Sequence, residues 1–190
     1  EGMVYFDTMT KQLLAYSNGK WQASRSSSTK VVAASNSSQA AKDAADYVAT
    51  GTSDQTQINS ALTAAAGGTV YLMEGTYYIS AQISVPNNTT LSGSGAGTVV
   101  TIPNAQNSTY SFIRNSDTAT GTNVIIRDLQ VDGNRANQTG GNMNGINMQG
   151  MGAGSGSTAR IGSKISGVII KNMRSDRGIT LSGSNNIISN

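Results

Sequence analysis

Two passages in the second half of the chain occur twice. Asn123-Val124-Ile125-Ile126-Arg127-Asp128-Leu129 returns as Gly167-Val168-Ile169-Ile170-Lys171-Asn172-Met173. Asn144-Gly145-Ile146-Asn147-Met148-Gln149-Gly150 returns as Arg177-Gly178-Ile179-Thr180-Leu181-Ser182-Gly183. A third copy of the opening strand, Asn185-Asn186-Ile187-Ile188-Ser189, stands just before Asn190. From Val168 to Ile187 the period is 19 residues; from Val124 to Val168 it is 44, with the excess in Gly/Asn-rich insertions at 133–144 and 150–163. Short apolar strands at a period of about 20 residues, interrupted by insertions of free length, specify a solenoid with Val, Ile, Leu and Met stacked inward. Asparagine suits its corners, since it accepts left-handed turns and its amide can ladder. In this alignment Arg127 stacks on Lys171, Gln130 on Arg174 and Asp132 on Asp176.

Composition agrees with many strands and turns. Asn, Ser and Thr supply 63 of 190 residues and glycine 22, while charged side chains make up 12% and aromatics 5%. No cysteine means no disulfide framework and no thiolate site, and no histidine removes Ser-His-Asp and Cys-His catalysis together with imidazole zinc sites. The net charge of +3 rests on scattered basic residues late in the chain, eight of them against four acidic between 101 and 190. No basic run is present, so nucleic acid is not an expected partner. No apolar run approaches the ~20 residues of a membrane span. No secretory signal precedes Glu1, which stands where a Met would, so processing or excision from a longer chain is expected.

Three regions follow. Residues 1–22 carry short apolar runs, Met3-Val4-Tyr5-Phe6 and Leu13-Leu14-Ala15-Tyr16, then Asn18-Gly19 before Trp21, a two-residue hairpin signal. Such a piece is too small to be stable unaided. Residues 23–44 read as a Ser/Ala-rich linker, with a short helix as the alternative at Ala40–Ala45. Residues 45–190 read as the first coils of the solenoid, opened by a helix over about 54–66. There Asp54 stands at the N-cap, Ile58, Ala61, Leu62 and Ala65 form one apolar stripe, and Gly67-Gly68 stops the helix. This helix is placed to cover the solenoid's raw upper edge. At the other end the sequence stops within a repeat, so a further coil or a neighbouring subunit is expected against it.

Ala45-Asp46-Tyr47-Val48, Gly51-Thr52-Ser53-Asp54, Ile58-Asn59-Ser60-Ala61-Leu62 and Gly67-Gly68-Thr69-Val70-Tyr71-Leu72-Met73-Glu74-Gly75-Thr76-Tyr77, continued by Leu91-Ser92-Gly93-Ser94-Gly95 and Val131-Asp132-Gly133-Asn134-Arg135, resemble the pectate-lyase-like right-handed β-helix superfamily. The resemblance covers about 45–190 and implies an all-β, right-handed parallel β-helix. It says less about activity, because this scaffold serves lyases, hydrolases, phage tailspikes and adhesins. Gly2–Thr8 through Tyr16, Asn18-Gly19 and Trp21 resemble a short module of bacteriophage tail fibres and other virion proteins. Together the two resemblances imply a structural or receptor-binding part of a phage tail fibre or tailspike. They also imply a virion location, a homotrimer, contacts to other virion proteins through the amino-terminal module, and a host glycan as ligand. The alternatives are a secreted polysaccharide lyase or glycoside hydrolase and a bacterial surface adhesin.

Candidate binding residues are Asp132 and Asp176, whose carbons would lie ~4.8 Å apart in successive coils, with Arg135 and Arg177 to neutralise them. Solvated turn residues are the alternative reading of all four. No catalytic residue and no metal ligand is assigned, and this segment is expected not to be an enzyme. No cofactor is expected, calcium entering only under the lyase alternative.

Overall fold

The computed structural model describes residues 3–8, 12–17, 20–23, 28–152, 161–174 and 177–190. Strands β1 (Val4–Asp7), β2 (Gln12–Ser17) and β3 (Lys20–Ala23) form an antiparallel sheet, with Tyr5 opposite Leu14 and Tyr16 opposite Trp21. The Asn18-Gly19 turn lies outside the described residues, yet the two strands it was expected to join do pair. Trp21 meets the rings of Tyr5 and Tyr16 edge-on at 5.9 and 5.2 Å.

Next come β4 (Thr29–Ala33), α1 (Gln39–Ala44), β5 (Tyr47–Val48) and α2 (Gln55–Ala64). The stretch expected to be a linker therefore contains a strand. β4 runs parallel to β6 (Thr69–Leu72), with Val32 opposite Leu72, and Val32, Ala33 and Ala34 are fully buried. Serine-rich flanks hide these few apolar residues in the sequence. Gly68 is required where the chain closes on β4, since a Cβ there would lie 1.8 Å from the Ser28 carbonyl oxygen.

The solenoid then winds four coils. The first is β6, β7 (Gly75–Tyr78) and β8 (Ile83–Val85); the second β9 (Thr90–Ser92), β10 (Thr98–Thr101) and β11 (Ser111–Asn115). The third is β12 (Ile125–Arg127), β13 (Gln130–Asp132) and β14 (Asn144–Met151); the fourth β15 (Lys164–Ser166), β16 (Ile169–Lys171) and β17 (Ile179–Gly183). β18 (Ile187–Ser189) lies below β15. Stacking produces three parallel sheets: sheet I is β5-β4-β6-β9-β12-β15-β18, sheet II β7-β10-β13-β16 and sheet III β8-β11-β14-β17. Thr69, Thr90, Ile125, Lys164 and Ile187 stand in one column, so the steps 69 to 90, 90 to 125, 125 to 164 and 164 to 187 take 21, 35, 39 and 23 residues.

Inward columns make the core: Val70-Leu91-Ile126-Ile165 from sheet I, Tyr77-Val100-Val131-Ile170 from sheet II and Ile83-Ile113-Ile146-Ile179 from sheet III. Left-handed corners recur two residues ahead of sheet I strands, at Gly67, Asn88, Asn123 and Asn185. A side chain with a short amide tolerates that conformation, as expected of the corner asparagines.

Register corrects one part of the repeat. β14 and β17 pair as the sequence indicates, with Ile146, Asn147 and Met148 opposite Ile179, Thr180 and Leu181. β12, however, lies against Lys164–Ser166, and Ile169–Lys171 lies against Gln130–Asp132. Arg127 is thus opposite Ser166, Gln130 opposite Ile169, and Asp132 opposite Lys171 rather than Asp176. Each coil carries two similar short strands separated by one left-handed residue, Asp128 (φ 56°) or Gly167 (φ 59°), and the sequence alignment slips from one strand to the other.

Asp54 does not cap its own helix. Its carboxylate accepts instead from the Gly51 and Tyr78 amides, at 2.7 and 2.8 Å. Along the upper edge, Asn36 Oδ1 accepts from Thr76 N (2.8 Å), Gln55 Oε1 from Ser80 N (2.9 Å) and Asn59 Oδ1 from Ser84 N (2.9 Å). Asn59 Nδ2 also donates to the Gln82 carbonyl at 3.0 Å. Side-chain oxygens from α2 and the loop after β4 thus satisfy exposed donors that would otherwise recruit another strand.

Candidate functional site

Asp132 sits at the end of β13, and its carboxylate is already engaged. Oδ1 accepts from Asn134 N at 2.9 Å and Asn172 Nδ2 at 3.0 Å, and Oδ2 lies 3.6 Å from Lys171 Nζ. Its neutralising cation is Lys171 of the next coil. Arg135 is exposed and opens the 3-10 turn Arg135–Asn137. Arg177 is exposed at the entry to β17, and Asp176 lies outside the described residues. The structure therefore brings Asp132 to Lys171 and Asn172, with no second carboxylate stacked on it in register. Among the described residues no three acidic side chains stand together. Asp132, tied to a lysine and two nitrogen donors, does not fit the oxygen cage that calcium needs under the lyase alternative.

A different set of residues stands out on the outer face of sheet III. Strand alternation sends Ile83, Ile113, Ile146 and Ile179 inward, so the next residue of each strand points outward. These are Ser84, Arg114, Asn147 and Thr180, one per coil and directly in register. Coil stacking sets them about 4.8 Å apart. Asn147 is only 9% exposed although it faces out, and Arg114 and Thr180 are half-buried. Arg114 Nη2 donates to Gln149 Oε1 at 2.6 Å. Arg114 Nε, Asn147 Oδ1 and Thr180 Oγ1 are buried without any partner. Three adjacent unsatisfied polar atoms are costly, about 1–3 kcal/mol each, unless a ligand or water completes them.

The charge of this column is equally unbalanced. Among the described residues the ion pairs are Arg127 with Asp128 and Lys171 with Asp132, so Arg114 has no carboxylate partner there. Long loops at the corner between sheets II and III, 102–110 and 133–143, lead into β11 and β14 and border the face. Sequence reading passed over the column because its members are 30, 33 and 33 residues apart, from 84 to 114, 114 to 147 and 147 to 180. A usable signal was present: each is a polar residue following an isoleucine in Ile83-Ser84-Val85, Ile113-Arg114-Asn115, Ile146-Asn147-Met148 and Ile179-Thr180-Leu181.

No helix among the described residues is long and apolar enough to cross a membrane. Among curated proteins, none matches the chain significantly. Solved structures do. The A-module of Azotobacter vinelandii mannuronan C-5 epimerase AlgE4 is 25% identical over 67% of this chain and 37% of that one, with a TM-score of 0.54. The A-module of the AlgE6 epimerase of the same organism is 27% identical over 66% and 36%, with a TM-score of 0.51. ORF18 of Geobacillus virus E2 is 16% identical over 91% and 35%, with a TM-score of 0.47. The chain thus spans a little over a third of the length of the structures it matches. The family model described as rhamnogalacturonase A/epimerase, pectate lyase-like, matches residues 43–190. With four parallel coils and that match over most of its length, the chain belongs to the rhamnogalacturonase A/epimerase family of pectate-lyase-like right-handed β-helices.

Proposed function

We propose that this chain is the receptor-binding β-helix of a viral appendage, a phage tail fibre or tailspike, and holds a host-surface polysaccharide along the outer face of sheet III. The observation that carries the reading is the column Ser84-Arg114-Asn147-Thr180, with its three unpartnered buried atoms. Sugar hydroxyls both donate and accept, so one chain can satisfy Asn147 Oδ1, Thr180 Oγ1 and Arg114 Nε together. An acidic sugar adds a carboxylate for the Arg114 guanidinium. The likeness to epimerases named for mannuronan supports polyuronates as the first ligands to test. The viral assignment rests on the amino-terminal module, whose aromatic residues are exposed in an antiparallel sheet. In this reading that sheet docks on neighbouring copies in a homotrimer and on other virion proteins.

Calorimetric titration with mannuronan oligomers and host-surface glycans tests the binding. Wild-type protein binds an acidic glycan, and Arg114→Ala weakens it by about tenfold or more, as loss of a charged hydrogen bond of about 1.5–3 kcal/mol requires. Absence of binding to every acidic glycan sinks the reading. Light scattering across a hundredfold dilution tests the assembly: a stable monomer rejects it, and deleting residues 1–22 weakens association if it holds.

A second reading, polysaccharide cleavage or epimerisation, is favoured by the same epimerase likeness. Against it, the column holds no carboxylate to serve as an acid/base partner. Release of unsaturated products or new reducing ends from uronate polymers, abolished by Arg114→Ala, would replace binding by catalysis.

A further inference from the structure

We infer that Arg174 is a positioning residue for the glycan face: it locks the insertion 133–143 of the third coil into a fixed wall beside sheet III. This rests on the reading of that face as the binding surface. Arg174 follows β16 in the fourth coil, and its guanidinium reaches back to the third. Nη1 donates to the Gln138 carbonyl at 3.0 Å and Nη2 to the Thr139 carbonyl at 2.8 Å. Gln138 carries the tie onward to the second coil. Its side chain, 4% exposed, donates from Nε2 to the Pro103 carbonyl at 2.8 Å and accepts from Asn107 N at 3.0 Å. Asn107 answers from that coil, its Oδ1 accepting from Thr139 N at 2.9 Å and Gly140 N at 2.8 Å.

Loops of three successive coils are thereby stapled by side-chain-to-backbone bonds at the corner that enters sheet III. An insertion of this length has no strand partner of its own, so these bonds set its conformation. A planar guanidinium fork suits the task, since it meets two adjacent carbonyls at once with little loss of freedom per bond. Arg174 spends both Nη groups on this clamp, whereas Arg114 keeps Nε free toward the open face. One arginine shapes the wall and the other meets the ligand.

The test compares Arg174→Ala and Arg174→Lys with wild type by amide hydrogen exchange and by affinity for short oligouronates. Arg174→Ala speeds exchange of the Thr139 and Gly140 amides at least tenfold, leaves core amides such as Ile126 unchanged, and weakens oligouronate binding about fivefold. Arg174→Lys restores much of both. Asn107→Gly, which keeps the left-handed backbone found at that position (φ 49°), reproduces the loss from the second coil's side and serves if Arg174→Ala does not fold. Unchanged protection at Thr139 and Gly140 overturns the clamp whatever the affinity does. Lost protection with unchanged affinity overturns the wall as part of the site. If wild-type protein binds no oligouronate, the reading of the face fails and the wall's role with it, while the clamp is still judged by exchange alone.

Discussion

Tyr5 and Tyr77 both lie on β-strands, yet they live in opposite environments. Tyr5 is 53% exposed, beside Trp21 in a three-stranded sheet that also leaves Val4 and Phe6 uncovered. Tyr77 is fully buried, and its hydroxyl donates to the Val32 and Met73 carbonyls at 2.8 and 3.0 Å. Burial, first of all, raises the Tyr77 phenol well above its ordinary value. Strand formation is common to both regions. Stacking is not: only the solenoid supplies, above and below each strand, another strand with an apolar residue in register. Apolar content alone therefore does not make a core in this chain.

Substitution at the two tyrosines should break the molecule unequally. Tyr77→Ala removes the largest buried ring and the tie to β4, and should cost about 3–5 kcal/mol in urea unfolding. Tyr77→Phe keeps the ring and should cost about 1 kcal/mol. Tyr5→Ala should change solenoid stability by less than about 0.5 kcal/mol, as an exposed side chain does. A loss at Tyr5 comparable with that at Tyr77 would mean that the sheet belongs to the same cooperative unit.

The next contrast is between an edge covered by side chains and one covered by strands. Replacing Asn59 with Ala leaves the Ser84 amide and the Gln82 carbonyl without their partners. That should cost about 1–3 kcal/mol and speed exchange of the Ser84 amide before that of Ile113 one coil below. If both amides speed up together, the helix is not acting as a local cover.

How much of this was legible follows the same division. The solenoid, the pairing of β14 with β17 and the corner asparagines could be read because local chemistry dictates them: alternating Ile and polar residues, and Asn where φ is positive. β4 was not legible, since Val31-Val32-Ala33-Ala34 among serines acquires strand character from β6 beside it. The slip between β15 and β16 arose because Ile169-Ile170 copies Ile125-Ile126 better than Lys164-Ile165 does. The column headed by Arg114 was invisible to any fixed period, because unequal loops separate its members while the sheet realigns them. Asp132 drew attention as a carboxylate, but its partner depends on register and turned out to be Lys171.

Corner geometry offers a milder test of the solenoid. Asn123 holds φ 51° ahead of β12. Asn123→Ala forces a Cβ-bearing residue without a compensating amide into that conformation and should cost about 1 kcal/mol. Asn123→Gly should be nearly neutral. Equal effects of the two would mean that side-chain contacts, and not the left-handed backbone, select asparagine there.

Acid should produce the smallest effect, confined to one loop. Asp117 follows β11, and its carboxylate collects donors from two coils: Thr120 N at 2.9 Å, Ala119 N at 3.0 Å, Thr120 Oγ1 at 2.9 Å and Asn87 Nδ2 at 3.1 Å. These bonds, led by the Thr120 amide, favour the ionised form and hold the group down at about 2. An unfolded carboxyl titrates near 3.9, so the folded value is the lower one. The stabilisation is then fully present above about pH 4 and is lost as pH falls toward about 2. The Ala119 and Thr120 amide resonances should titrate together with a midpoint near 2, while Tyr5 and Trp21 in the amino-terminal sheet do not follow that step. Asp117→Asn should remove the step altogether. A midpoint near 4 would show that the loop does not hold its carboxylate in solution, and that the two regions respond to acid alike.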